Sequence, residues 1–151
     1  MAKQIQTVEK QIKKLIDGNE TLSKNAQLLQ SIPGVGFWLS SIFLSELPEL
    51  GKIGRGEIAS LVGVCPLNRD SGRFRGKRLI YGGRARVRRA LYMGTISAIR
   101  FNYRVQAHFN QLSQRGFAFK KAMVPCMRKL LFIANAVLKT QTPWKPQQQV
   151  A

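Results

Sequence analysis

The first thirty residues carry an apolar stripe whose spacings alternate between three and four. Its members are Ile5, Val8, Ile12, Leu15, Asn19, Leu22, Ala26 and Leu29. This is the a/d pattern of a coiled coil, in which a single Asn commonly fixes the register. A helix that packs on its own domain shows a similar stripe, and Gly18 weakens a long helix. Residues 1–30 are therefore predicted to form a helical arm, with coiled-coil self-association and intramolecular packing both open.

A short turn sequence separates this arm from a second apolar stretch. Residues 31–36 read Ser-Ile-Pro-Gly-Val-Gly, and the apolar run Phe37 to Leu47 follows. Pro33 stops a helix and the two glycines allow a tight turn, so the segment predicts a helix-hairpin-helix. Gly34 and Gly36 would let the backbone approach a phosphate, towards which the N–H groups of the second helix would point. A plain interhelical turn has the same sequence features, and both interpretations stay open.

A strong helical period runs from Arg84 to about Leu112. At about 100° per residue, the apolar face consists of Val87, Leu91, Gly94, Ala98, Phe101, Val105, Phe109 and Leu112. The opposite face carries the four cations Arg86, Arg89, Arg100 and Arg104. One unbroken helix would present these cations as a nucleic-acid-binding ridge roughly 25 Å long. Asn102 is the residue at which this helix would be interrupted.

The remaining apolar segments complete an all-α prediction. A short helix is predicted from Glu57 to Val64, and a last helix from Phe117 to Leu138, with Pro125 expected to kink or restart it. The inward positions of the last helix are Met123, Met127, Leu130, Ala134 and Val137. The predicted organisation is a helical arm over 1–30, a helix-hairpin-helix-containing domain over 31–140 and a flexible tail over 141–151.

A stretch rich in Gly and Arg, from Cys65 to Gly83, lies between these helices. Its cations are Arg69, Arg73, Arg75, Lys77, Arg78 and, just beyond it, Arg84. Residues 79–81 are compatible with a short strand. A loop of this length with little regular structure is usually functional, and its cations are predicted to contact nucleic acid.

The charge of the chain is large and unevenly distributed. The formal net charge is +18, yet all seven acidic residues lie in the first 70 positions, where eight Lys and Arg nearly balance them. From Ser71 onwards there are seventeen basic residues and no acidic one. A surface of one sign repels itself, so this half of the chain needs a polyanionic partner, predicted to be DNA. Apolar residues make up 44% of the sequence, which indicates an ordered core rather than a disordered basic tail.

Membrane and metal partners are not predicted. No stretch approaches the ~20 apolar residues of a spanning helix, and the N-terminus has no signal-peptide pattern. Cys65, Cys126 and His108 are too few and too far apart for a zinc site. We interpret the cysteines as reduced thiols of a cytoplasmic protein and His108 as a structural residue.

Ser71 is the candidate for chemistry. It precedes Gly72 and has arginines on both sides in the sequence. Its hydroxyl would lie in a cationic field that stabilises the charge developing on a phosphodiester under attack. From the residues alone, a serine in such a loop more often hydrogen-bonds phosphate, and both roles stay open.

Several short segments, taken in order, resemble a known family. They are Ser31–Gly36, Leu61-Val-Gly-Val-Cys-Pro66, Ser71-Gly72, Arg88-Arg-Ala-Leu-Tyr-Met93, Arg115-Gly116 and Arg128-Lys-Leu-Leu131. In this order they resemble the C-terminal domain of the insertion-sequence 110/116/902 transposases, which are related to the Piv-type DNA invertases. The resemblance covers about residues 28–140 and is most specific from Pro66 to Met93.

The resemblance implies a role in DNA transposition or site-specific recombination, with Ser71 as the nucleophile that joins covalently to DNA. It also implies a RuvC-like N-terminal domain whose acidic residues bind magnesium, a coiled coil between the domains and, in the better-studied members, a structured guide RNA. We expect this chain to hold no cofactor itself. Because it lacks the RuvC-like domain, we expect it to bind DNA without cutting it when alone.

The expected setting is the bacterial cytoplasm, in association with the nucleoid and as a homo-oligomer. The alternative is a non-catalytic architectural or ribosomal-type nucleic-acid-binding protein. The two differ in whether the hydroxyl of Ser71 matters, since a pure binder would not need it.

Overall fold

The computed structural model describes residues 1–65, 70–71, 74–75 and 83–146. Within these residues the chain forms seven helices, α1 (Ala2–Asp17), α2 (Glu20–Gln30), α3 (Phe37–Glu46), α4 (Arg55–Val62), α5 (Ala85–Phe101), α6 (Tyr103–Gln114) and α7 (Phe119–Thr140). Two strands of two residues, β1 (Asp70–Ser71) and β2 (Phe74–Arg75), pair antiparallel. The predicted all-α class is confirmed, with this small hairpin as an addition to it.

Helix α7 is the centre of the hydrophobic core. It contacts α2, α4, α5 and α6. All five residues predicted to point inward from it are buried, among them Met123 and Leu130. The larger side chains among them, such as Met123 and Leu130, each contribute about 1.5–3 kcal/mol when fully removed from water. The helix runs unbroken through Pro125, so the predicted restart is wrong, because burial against four helices outweighs the loss of one backbone hydrogen bond.

The N-terminal arm consists of two helices rather than one. α1 ends at Asp17, and Asn19 has an extended backbone with φ −121° and ψ 118°. The side chain of Asn19 accepts a hydrogen bond from the N–H of Leu22 at 3.1 Å. Asn19 is thus the N-cap of α2, a role that Asn fills well because its side chain satisfies a free N–H group. The apolar stripe predicted for the arm is therefore divided between two helices.

Helix α1 lies beside α2 and the beginning of α3. The indole N–H of Trp38 donates to Oε1 of Glu9 at 3.1 Å. No residue of α1 is buried, and the exposed fractions of Ile5, Val8 and Leu15 are 50%, 47% and 74%. Much of the apolar face of α1 is therefore open to solvent.

The long helix predicted over residues 84–112 is also divided. Asn102 has an extended backbone and is fully buried between α5 and α6. Its side-chain oxygen accepts hydrogen bonds from the N–H groups of Arg104 and Val105, and its amide donates to the carbonyl of Pro33 at 3.0 Å. The chain therefore turns at this point, and Phe101, predicted to be in the core, is 72% exposed.

The segment after α7 is anchored as far as Trp144. The backbone N–H of Trp144 donates to Oγ of Ser31 at 2.9 Å, and its indole packs against the core. Gln141 donates to the side chain of Asn25 at 3.1 Å. The first residues of the predicted tail therefore contact the domain, and burial of a large aromatic side chain favours these contacts. Residues 147–151 of the predicted tail lie outside the described residues.

Candidate nucleic-acid interface

The two ends of the arginine-rich loop are held together at its base. α4 ends at Val62, where Gly63 adopts a left-handed conformation with φ 82°. The N–H of Arg84 donates to the carbonyl of Leu61 at 3.0 Å. Gly83 approaches so closely that a Cβ on it would lie 2.5 Å from the nitrogen of Gly63. The base of the loop is therefore closed, and its geometry requires glycine at position 83.

The side chain of Arg84 reinforces this closure. Its guanidinium contacts the carboxylate of Glu49 through two bonds of 2.6 and 2.7 Å and donates to the carbonyl of Glu46 at 3.0 Å. The hydrogen bond from Arg84 is the main reason why the pKa of Glu49 falls to about 2, and it raises the pKa of Arg84 in turn. Arg84 was predicted to contact nucleic acid, but in this structure its guanidinium anchors the loop.

Other cations surround the base of the loop. Arg86 is within 3.1 Å of a carboxylate oxygen of Glu46 but keeps 80% of its side chain exposed. Arg89 is exposed on the same helix. From α7, Arg128 donates to the carbonyl of Val64 at 3.1 Å, directly beside the point where the loop begins. Helices α5 and α7 thus bring positive charge to this point.

The predicted straight ridge of four arginines does not form. Arg86, Arg89 and Arg100 belong to α5, whereas Arg104 belongs to α6 beyond the break at Asn102. Arg100 is exposed and Arg104 is half-buried. The helical period stays in phase across the break, so periodicity alone predicted one helix.

Arg104 instead lines a cleft between α6 and α7 with a volume of about 460 Å³. The polar and aromatic side chains around the cleft are Arg55, Arg104, His108, Arg128, Lys129 and Phe132. Of these residues, the sequence predicts a nucleic-acid contact only for Arg104, and it indicates a structural role for His108. Of their arrangement, the sequence indicates only that Arg104 and His108 lie on the same face of one helix, because they are four residues apart.

The two glycines predicted to approach phosphate have different environments. Gly34 has φ 101°, and a Cβ on it would lie 2.5 Å from Cβ of Ala98 on α5. In this structure Gly34 therefore packs closely against helix α5. Gly36 is exposed at the N-cap of α3, and a Cβ on it would meet nothing within 4 Å. Of the two, Gly36 has the open surroundings that a phosphate contact needs.

The loop residues are only partly within the described chain. The backbone of Ser71 ends β1 and pairs with Phe74, while Asp70 pairs with Arg75. The other cations predicted for the loop lie outside the described residues, namely Arg69, Arg73, Lys77 and Arg78. The strand considered for residues 79–81 lies outside them as well.

Within the described residues, no three His, Cys, Asp or Glu side chains gather in a way that could hold a metal ion. Burial raises the pKa of the Cys126 thiol to about 11, which keeps it protonated at neutral pH. In the same part of the chain, no helix is long and apolar enough to cross a membrane.

An all-α domain that gathers cations from several helices around the base of an arginine-rich loop is a type of protein suited to a polyanionic partner. Comparison with known proteins identifies the family of the chain. The chain belongs to the family described as Transposase IS116/IS110/IS902, whose model matches residues 26–110.

Curated relatives agree with this family. The chain is 30% identical over 151 residues to the pilin gene-inverting protein of Moraxella bovis, with 93% of this chain and 45% of the relative covered. The pilin gene-inverting protein of Moraxella lacunata matches to the same extent. An uncharacterized 42 kDa protein of insertion element IS900 from Mycobacterium paratuberculosis is 26% identical over 134 residues, covering 85% of this chain and 33% of the relative. The chain thus spans less than half the length of these relatives.

Proposed function

We propose that this chain is the DNA-binding C-terminal portion of a transposase or site-specific recombinase and supplies Ser71 as the nucleophile for strand cleavage and exchange. The observation that carries the proposal is the closed base of the loop. Gly83 against Gly63, and Arg84 against Glu49, hold the ends of the segment that bears Ser71 beside the cations of α5 and α7. A nucleophile has to be delivered reproducibly to a held phosphate, and a closed loop base serves that purpose.

The proposed reaction is a transesterification. Oγ of Ser71 forms a bond to phosphorus while the bond from phosphorus to a sugar oxygen breaks, and that sugar oxygen leaves as a hydroxyl group. Arginines offset the charge on the non-bridging oxygens. The serine proton has to pass to a base, because a neutral hydroxyl is a poor nucleophile. Asp70 precedes Ser71 in the sequence, but we do not assign it this role.

The family resemblance assigns magnesium to a RuvC-like domain. The described residues of this chain do not fit a magnesium site, because their acidic side chains do not gather. We therefore assign no step of the reaction to magnesium on this chain. The proposal leaves metal binding and activation of the nucleophile to the RuvC-like domain.

DNA binding by this chain is tested by fluorescence anisotropy with a duplex at several salt concentrations. If about six phosphates are neutralised, log K should fall with log salt at a slope near −5. A flat salt dependence, or no binding at low salt, would contradict the DNA-binding function.

The nucleophile is tested by adding a RuvC-like domain and magnesium and searching for a covalent protein–DNA adduct on denaturing gels. Ser71→Ala should abolish the adduct and change the DNA-binding free energy by less than about 1 kcal/mol, the net value of one ordinary hydrogen bond. Ser60→Ala, at an exposed position on α4, is the matched control and should keep the adduct. An adduct that survives in Ser71→Ala would place the nucleophile elsewhere. No adduct in any variant, together with intact DNA binding, would favour the non-catalytic architectural protein.

A further inference from the structure

The cleft between α6 and α7 is a second polar site, next to the point where the arginine-rich loop begins. Arg104 and His108 line it from α6, and Arg128, Lys129 and Phe132 line it from α7. Arg55, the first residue of α4, closes one side. A volume of about 460 Å³ is large enough to admit a phosphate together with part of its sugar.

The position of Arg55 depends on a buried amide of α7. Asn135 accepts a hydrogen bond from the N–H of Gly51 at 2.6 Å and donates to the carbonyl of Ile53 at 3.1 Å. These two bonds fix the turn that leads into α4. The guanidinium of Arg55 then lies 5.6 Å from the centre of the Phe132 ring. Arg55 is thereby placed at the start of α4 beside the cleft, with its guanidinium over an aromatic ring of α7.

The charges around the cleft are all of one sign. Arg55, Arg104, Arg128 and Lys129 face it, and within the described chain none of them has a carboxylate within ion-pair distance. Arg128 is oriented by the carbonyl of Val64 without being neutralised. Gathering cations in a concave site without acidic partners costs free energy, which a bound anion offsets.

The larger cleft between α1, α2 and α3 provides a contrast. Its volume is about 550 Å³, and its charged residues are of both signs, Glu9 and Asp17 with Lys10 and Lys13. Such a mixed lining gives no preference for an anion. The difference in charge, rather than volume, distinguishes the cleft between α6 and α7.

His108 lies half-buried among these cations. The charged side chains that line the same cleft are Arg104 from its own helix, Arg128 and Lys129 from α7 and Arg55 from α4. Burial, followed by the charges of Lys129 and Arg128, lowers its pKa below the ordinary value of 6.5. Both effects disfavour the protonated imidazole. A phosphate nearby would favour the protonated form, which donates hydrogen bonds from both ring nitrogens.

We propose that this cleft binds a backbone phosphate of a DNA strand, with Arg104, Arg128 and Lys129 supplying the charge and His108 a hydrogen bond that depends on its protonation. The proposal rests on the DNA-binding part of the proposed function and is independent of Ser71. DNA is the occupant because the cleft adjoins the loop. Arg128 both lines the cleft and contacts Val64 where the loop begins, so one strand can follow the surface from one to the other.

The sequence contains a single histidine, which makes the proposal directly measurable. The imidazole resonances of the tag-free chain are followed by NMR between pH 5 and 8.5, alone and with a saturating 20-base-pair duplex. We expect the duplex to raise the titration midpoint of His108 by about one pH unit. By linkage, affinity for DNA should then be about tenfold higher when His108 is protonated than when it is neutral.

Two variants and a control complete the test. Lys129→Gln should raise the midpoint of His108 in the free chain and make the salt slope of DNA binding shallower by about one. His108→Gln should remove the pH dependence of affinity over this range. Lys10→Gln makes the same change in net charge in the mixed-sign cleft and should alter neither the midpoint nor the slope measurably.

The outcomes separate this proposal from the proposed function. DNA binding with an unchanged His108 midpoint would overturn the cleft and leave the function intact. A midpoint raised by poly-glutamate but not by DNA would overturn it in favour of an acidic protein partner. No DNA binding at all would contradict the proposed function itself. If Lys129→Gln unfolds the chain, the midpoint of the wild-type chain with and without DNA still decides the matter.

Discussion

The guanidinium of Arg84 and the carboxylate of Glu49 form a two-pronged ion pair, with Nη1 2.6 Å from Oε2 and Nη2 2.7 Å from Oε1. The pair joins the residue that follows the arginine-rich loop to the turn after α3, 35 residues earlier in the chain. Because two parallel hydrogen bonds form, the relative orientation of the guanidinium and the carboxylate is more restricted than in a single charge contact. The ion pair thus links the turn after α3 to the base of the loop.

The pair predicts an acid dependence of stability. The pKa of Glu49 is about 2 in the folded chain, compared with 4.5 as its ordinary value. Because the pKa of Glu49 is lower in the folded than in the unfolded chain, its ionised carboxylate stabilises the fold above pH 4.5. This contribution is lost as the pH falls from 4.5 towards 2. We expect Glu49→Gln to melt at a lower temperature than the wild type at pH 7, with the difference shrinking towards pH 2. Thermal melts followed by circular dichroism at several pH values measure this. Glu20→Gln, an exposed acid in α2, is the control, and an equal effect from it would contradict the prediction.

The two helix-capping asparagines should differ in their importance. Asn102 is fully buried, caps α6 with two accepted bonds and donates to Pro33, whereas Asn19 is exposed and accepts one bond. Loss of a cap costs typically ~1 kcal/mol, and leaving buried groups without partners adds ~1–3 kcal/mol. Asn102→Ala should therefore lower the free energy of unfolding by about 2–4 kcal/mol, and Asn19→Ala by about 1 kcal/mol or less. Urea denaturation compares them, and equal losses would disprove the tertiary role of Asn102.

The glycines of the turn between α2 and α3 should separate folding from DNA contact. Gly34 combines φ 101° with a Cβ position that Ala98 already fills, so Gly34→Ala should cost more than about 2 kcal/mol of stability. Gly36 has open surroundings and φ −96°, so Gly36→Ala should fold normally. If Gly36 lets the backbone approach a phosphate, Gly36→Ala weakens DNA binding while lowering stability by no more than about 1 kcal/mol, the typical cost of an alanine at an N-cap. Unchanged affinity would leave the turn with a purely structural role.

The exposed apolar face of α1 predicts self-association. Ile5, Val8 and Leu15 form one seam on a helix that buries no residue within its own domain. We expect at least a dimer in solution through α1, since an exposed amphipathic helix gains by covering this face. Analytical ultracentrifugation of Val8→Lys should show dissociation, while Lys14→Gln on the polar face leaves assembly intact. A wild-type monomer at tens of micromolar would contradict the prediction.

Much of the helical architecture was accessible from the sequence because helix formation and burial are local and periodic. The spacing of Met123, Met127, Leu130, Ala134 and Val137 predicted the buried face of α7 correctly. The family was also accessible, since short segments around Pro66 to Met93 carry the resemblance. The uneven charge is a property of composition and needed no structure.

Tertiary structure decided whether each predicted helix breaks and which cations are free. Gly18 and Asn102 are recognisable in the sequence as places where a helix could be interrupted, but the apolar spacing stays in phase across both, so periodicity alone does not decide between one helix and two. Whether an Asn continues a helix or caps the next depends on its partners, and the partner of Asn102 is the carbonyl of Pro33, distant in sequence. Arg84 is likewise anchored by Glu49 from another element, while Arg55 and His108 meet only because α4 and α6 both pack on α7. Contacts between residues far apart in the chain carry no periodic signal, because they depend on how whole helices pack rather than on spacing along one of them.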